Sequence, residues 1–161
     1  THLDVPFHFY ADGKTLDDFQ VTDFIKRVHV IEIMDPDRIT ASEVDWSLIS
    51  PGEGVLFKTR NSREGLVKSG KFVSDFVYLS PEAAKKVNEC KASLVGVDYI
   101  SIEQYGVEHF HSHLELLGQD VIVLEAVNLG DISEGTYTLM CLPLKLSSAD
   151  ASPVRAILIE D

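Results

Sequence analysis

The sequence predicts an α/β fold of mixed α+β character, a mixed β-sheet core flanked by helices. Three observations carry the prediction. Short β-branched apolar runs recur along the whole chain, helix-start signals fall between several of them, and no repeat, low-complexity tract or Pro/Gly/Ser-rich linker interrupts the pattern. With 161 residues, 45% of them hydrophobic, the chain is sized for one well-cored domain, expected over residues 1–161.

Each element has its own signal. Residues 1–8 read as extended, and side-chain alternation then projects His2, Asp4 and His8 to one face. Chain ends fray unless tied down, so ligand-type residues at position 2 predict that the natural protein continues upstream. Residues 28–34 are β-branched and stop at the turn Asp35-Pro36-Asp37, which predicts a strand. Thr40-Ala41-Ser42-Glu43 has capping-box form and predicts a short helix toward Trp46. Residues 54–59 are a second strand and 76–79 a short third. Ser80-Pro81-Glu82 supplies a cap residue, an N1 proline and an acid, which predicts a helix to about Lys91. A buried strand follows over 94–98. Residues 109–117 read as a helix closed by Gly118 as a C′ glycine, with strands over 121–125, 136–142 and 154–159.

Composition narrows the function classes. There are 26 Asp and Glu against 14 Lys and Arg, and the resulting net charge of -12 repels nucleic acid and anionic membrane surfaces. No apolar run reaches the roughly 18 residues a membrane span requires, and the N-terminus lacks the pattern of a secretory signal, so a cytoplasmic location is expected. Cys90 and Cys141 form no CxxC pair, which argues against a disulfide framework or a thiolate zinc site.

The histidines are the chemical signal. His2 and His8 open the chain, His109, His111 and His113 cluster far downstream, and His29 stands alone in a strand. A set of His, Asp and Glu without Cys suits a catalytic zinc or manganese with an open position. Glu125 joins the candidates because an acid ending the apolar run from Val121 to Leu124 must be paired, ligated or at a sheet edge. Each also has an ordinary reading: a solvated tail, a strand histidine, a surface acid. On a helix His109 and His113 share a face while His111 points elsewhere. Asp98 fits either a ligand site at a strand end or the cap of the following turn.

Together the segments are more specific. Thr1-His2-Leu3-Asp4-Val5-Pro6-Phe7-His8-Phe9 resembles the latter half of the H-x-G-T-H-x-D-x-P-x-H-F signature of the cyclase family, which includes bacterial kynurenine formamidases. Phe57-Lys58-Thr59-Arg60-Asn61-Ser62, Asp75-Phe76-Val77-Tyr78-Leu79-Ser80, Val95-Gly96-Val97-Asp98-Tyr99-Ile100-Ser101, Leu142-Pro143-Leu144 and Ser152-Pro153-Val154-Arg155-Ala156 also resemble family segments, in the same order. The resemblance implies a divalent metal cofactor, two zinc ions or manganese. It implies that His2 binds the first metal, Asp4 bridges both, His113 and Glu125 bind the second, and His8 is the unligated acid/base. The signature's first His would lie four residues before His2, so the resemblance also implies an N-terminally incomplete domain lacking strands, with an unpaired sheet edge.

The activity so implied is hydrolysis of N-formyl-L-kynurenine to L-kynurenine and formate by metal-generated hydroxide, in tryptophan catabolism. Phe7, Phe9, Tyr10 and Phe72 are candidates for the apolar walls an aromatic amide needs. Two alternatives stand beside it: another cyclase-family hydrolase that opens a cyclic amide such as isatin, an ester or a lactone, and a non-catalytic binding module or inactive fragment. The resemblance further implies a homodimer or larger assembly.

Overall fold

A computed structural model describes residues 1–160, so Asp161, the last residue of the expected domain, lies outside the described residues. The strands are β1 (His2–Asp4), β2 (Ile25–Glu32), β3 (Arg38–Ile39), β4 (Gly54–Lys58), β5 (Tyr78–Leu79), β6 (Leu94–Val97), β7 (Ile122–Glu125), β8 (Gly135–Met140), β9 (Ala151–Pro153) and β10 (Ile157–Glu160). The helices are α1 (Arg60–Arg63), α2 (Pro81–Glu89) and α3 (His111–Leu117). Eight strands form one mixed sheet in the order β10-β8-β2-β4-β6-β7-β1-β9, and β3 pairs with β5 apart from it. The expected mixed α/β architecture is what the chain forms.

The apolar runs explain the centre of the sheet. Strands β2, β4, β6 and β7 are mutually parallel, and β4, β6 and β7 are buried almost throughout, as near-continuous apolar strands require. One face is covered by α2 and α3, whose Ala83, Ala84, Val87, Leu116 and Leu117 meet Val55, Phe57, Val95 and Val123. The other face packs Leu3, Leu56, Leu94, Ile122 and Leu124 against Leu129, Leu139 and Phe24, the last from a 3-10 turn over Val21–Phe24.

The first strand is not a frayed end. It runs antiparallel between β7 and β9, so both of its edges are paired, and the expected unpaired edge does not fall there. The Thr1 hydroxyl donates to the Ala126 carbonyl at 2.7 Å, which ties the terminus further.

Several boundaries depart from the sequence reading. The helix expected from Thr40 is absent, because the Glu43 carboxylate turns away from the Thr40 end. It accepts instead from the backbone N–H groups of Met34 and Asp35, leaving only a 3-10 turn at Trp46–Leu48. The clearest helix signal held: the Ser80 hydroxyl accepts from Ala83 N–H and Pro81 opens α2. It ends two residues before Lys91, which takes a left-handed turn at φ 58°. Gly118 is not a left-handed cap, since its φ is -68°. A Cβ there would lie 2.8 Å from the Leu114 carbonyl oxygen and 2.9 Å from the Tyr10 hydroxyl, so contact rather than conformation demands glycine. β2 starts and ends earlier than expected, and the run expected over 154–159 gives a strand only from Ile157.

Candidate metal centre

The sheet register assembles the centre. His2 stands opposite Glu125 across the β1–β7 pair, and Asp4 lies two residues further along the same face. The alternate residue Leu3 faces the opposite core against Leu124, which is the physical meaning of the His-x-Asp spacing. His113 enters from α3, packed above β7.

The distances are short. His2 Nε2 lies 3.1 Å from Glu125 Oε2 and 3.9 Å from Asp4 Oδ1. His113 Nε2 lies 3.2 Å from Glu125 Oε1 and 4.0 Å from Asp4 Oδ2. Both carboxylates therefore sit between the two imidazoles, one oxygen toward each. Asp4 and Glu125 are 2% and 3% exposed, which makes unpaired charge costly there. Glu125 Oε1 accepts from Ile102 N–H at 2.7 Å, whereas Asp4 Oδ1 is buried with no hydrogen-bond partner among the described residues.

Titration follows from this crowding. Burial and the Glu125 charge raise the Asp4 pKa. For Glu125 burial works upward, but hydrogen bonds from His113 and His2 outweigh it and hold the carboxyl below its ordinary range. The hydrogen bond to Glu125 raises His2 against its burial. Burial opposes the His113 imidazolium, yet Glu103 and Glu125 together lift its pKa to about 9.

Glu103 is a residue that sequence reading did not single out. Its buried carboxylate accepts from the His113 backbone N–H at 2.8 Å and lies 3.4 Å from His113 Nδ1. It thus replaces the missing local cap of α3, whose N-cap position holds Phe110. An acid between Ile102 and Gln104 carried no periodic signal.

The other predicted residues divide. The parity argument fails for His8, because Pro6–His8 is a 3-10 turn rather than extended chain. The turn nevertheless brings its ring to 6.5 Å from that of His113, while Nδ1 meets Asp150 Oδ2 at 2.7 Å. Gly13 allows this fold-back, since a Cβ on it would sit 2.6 Å from the Pro6 carbonyl carbon. His109 precedes α3, and both it and His111 are exposed, so only His113 of that cluster reaches the centre. Asp98 is not an open ligand: it is fully buried, accepting from Thr59 N–H and Oγ1, Asn61 Nδ2 and Ser62 N–H. His29 pairs with Glu53 at 2.9 Å, as a satisfied strand histidine does.

Of the aromatic candidates, Phe9 stacks on the His113 ring at 4.9 Å, and Phe110 meets Phe9 edge-on at 5.4 Å. The Tyr10 hydroxyl donates to the Leu114 carbonyl, and Phe7 is exposed. Phe72 lines a cleft of about 270 Å³ with Tyr105, Phe110 and Glu103. A roomier cleft of about 430 Å³ lies around Asp35, Arg38 and Asp75 and contains none of the predicted residues.

The donor set fits a divalent cation. Asp4, Glu103 and Glu125 are three buried acids beside the two imidazoles of His2 and His113, a carboxylate-rich donor set of the kind that holds a cation. His2, Asp4 and Glu125 offer ligand atoms all within 4.8 Å of one another. Two bonds of about 2.0–2.2 Å to a shared ion reach ligand atoms up to about 4.4 Å apart, which covers the 3.1 Å and 3.9 Å separations of His2 from Glu125 and Asp4.

Comparison with known proteins gives the family. Residues 1–104 match the Cyclase family, described as "Putative cyclase". The kynurenine formamidase of Bacillus anthracis is 32% identical over 158 residues, covering 98% of this chain and 74% of that protein. A solved structure described as a potential metal-dependent hydrolase with cyclase activity superposes with a TM-score of 0.87 at 31% identity, covering 98% of this chain and 76% of the other. An isatin hydrolase bound to the product analogue thioisatinate superposes with a TM-score of 0.76 at 26% identity, covering 97% and 69%. The chain belongs to the cyclase family and is a hydrolase of that family. Among the described residues, no helix is long and apolar enough to cross a membrane.

Proposed function

We propose that the chain is a metal-dependent amidohydrolase that removes the formyl group from N-formyl-L-kynurenine, releasing L-kynurenine and formate. The observation that carries the reading is the pair of buried carboxylates, Asp4 and Glu125, each set between the imidazoles of His2 and His113. His2, Asp4, His113 and Glu125 are the metal ligands in this reading. The two oxygens of Asp4, facing different imidazoles, support the bridging role, because a carboxylate offers two oxygens where a neutral imidazole offers one lone pair. Glu125 lies within 3.2 Å of His113 Nε2, and the two side chains would together hold the second metal. The chemistry a divalent cation would supply there is polarisation of the amide carbonyl and a water pKa lowered from about 15.7 toward about 7.

The chain's own residues supply the rest. His8, beside the centre and half-exposed, takes a proton from the attacking water and returns it to the departing nitrogen, so the C–N bond breaks with a neutral amine leaving. Phe9, Phe110 and the Phe72–Tyr105 cleft give the aryl group an apolar wall. Relatives named kynurenine formamidase support that substrate. Two zinc ions, a homodimeric assembly, a cytoplasmic setting, a single domain over 1–161 and a place in tryptophan catabolism belong to the same proposal and rest on family resemblance.

A cyclic amide is the second reading, favoured by the fold shared with the isatin hydrolase. The purified chain, assayed on N-formyl-L-kynurenine and isatin side by side with elemental analysis, tests both. Formate release at a rate above that of isatin opening, with a stoichiometric divalent metal, is expected. Preferential isatin opening would transfer the proposal to the second reading, and a chain without metal or activity after reconstitution would sink both. His8→Ala is expected to lower turnover by about 100-fold or more with metal content unchanged, and loss of the metal would instead make His8 a ligand.

A further inference from the structure

We propose that Asp150 is the positioning residue for His8, its carboxylate fixing the imidazole tautomer so that Nε2 is the nitrogen that exchanges protons with water and leaving group. The inference deepens the proposed function and rests on its assignment of His8.

The geometry is specific. Asp150 Oδ2 lies 2.7 Å from His8 Nδ1, across 142 residues of sequence. With Nδ1–H donated to the carboxylate, the lone pair of the neutral ring is left on Nε2. The acid remains an acceptor around neutrality, since the hydrogen bond with His8 pulls its pKa below the ordinary range.

The contact is also held from both sides by backbone. Val5 N–H donates to the Asp150 carbonyl at 3.0 Å, and Leu16 N–H donates to the Ala149 carbonyl at 2.9 Å. The next residue, Ala151, begins β9 and stands in register with Asp4. One strand pair therefore fixes both Asp4 and the approach of Asp150 to the turn that carries His8. Preorganisation of this kind is what an acid/base group needs to act without searching for its orientation.

Stability does not explain the pair. Both side chains are more than a third exposed, and an exposed ion pair contributes little to folding. Its consequence is orientation. In the step it supports, water gives a proton to His8 Nε2, the same proton passes to the leaving nitrogen, and Asp150 holds Nδ1–H throughout without becoming protonated.

The test has two arms. In the first, 15N spectra of the histidine-labelled, metal-free chain are recorded where the imidazoles are neutral, and His8 is expected as the Nδ1–H tautomer, losing that preference in Asp150→Ala. In the second, zinc-loaded Asp150→Ala, Asp150→Glu and His8→Ala are assayed on N-formyl-L-kynurenine. Asp150→Ala is expected to lose about 10- to 100-fold in kcat with KM and zinc content unchanged, and Asp150→Glu to recover part of it. An Nε2–H tautomer in the native chain, or full kcat in Asp150→Ala where His8→Ala has lost it, overturns the inference. Full turnover in His8→Ala is a different failure, that of the acid/base assignment, and takes the inference with it. If Asp150→Ala does not fold, the tautomer of the native chain decides.

Discussion

Replacing Asp4 by Asn should separate the stability of this chain from its metal. The substitution keeps the shape and removes one of three buried acids facing two imidazoles. In the metal-free chain the Asp4 carboxylate is 2% exposed with Oδ1 unpartnered. Burial and the Glu125 charge disfavour the ionised Asp4 carboxylate, and removing that charge while keeping an oxygen acceptor is worth on the order of 1–3 kcal/mol. For a chain of this length each kcal/mol moves the melting midpoint by about 2–4 °C. Asp4→Asn in chelator near pH 8 is therefore expected to melt about 2–12 °C above the parent. On the proposed ligand assignment, zinc at 100 times its Kd is expected to stabilise the parent by about 2.7 kcal/mol, or about 5–11 °C, and to leave Asp4→Asn unmoved. Scanning calorimetry of both chains, each with chelator and with zinc, reads all four values. A midpoint below the parent's in chelator, or an equal zinc shift in both, would refute the reasoning.

Glu103→Gln removes the charge beside His113 Nδ1 while keeping an oxygen that can accept from its backbone N–H. Zinc affinity, measured by competition with a chelating dye, should fall about 10- to 100-fold, and an unchanged Kd would show that Glu103 only caps α3. His113 has a folded pKa of about 9 against an unfolded value near 6.5. Its ion pairs thus stabilise the metal-free chain fully below about pH 6.5 and are lost as pH rises through about 9, a difference on the order of 2–4 kcal/mol. Chelated protein should melt lower across that interval while zinc affinity climbs, since a ligand imidazole must be deprotonated; flat profiles in both would contradict the assigned pairing.

The sequence by itself determined what depends on neighbours along the chain. Ser80-Pro81-Glu82 opened α2 because capping is local, and the apolar runs gave β4, β6 and β7 because burial on both faces demands them. The His-x-Asp alternation placed His2 and Asp4 on one face because an extended chain has a period of two. Local signals failed where a distant group competed. Glu43 left its capping box for backbone N–H groups nine and eight residues upstream, and α3 began at His111 because its cap, Glu103, arrives from outside the helix.

Only the tertiary structure decided the company these residues keep. Register across β1 and β7 set Glu125 against His2, packing of α3 brought His113 to both carboxylates, and a turn and strand pair from opposite ends of the chain joined His8 to Asp150. No spacing encodes these meetings. The physical reason is that a buried charge is stable only when paired, and its partners come from whichever elements the hydrophobic core has already brought together.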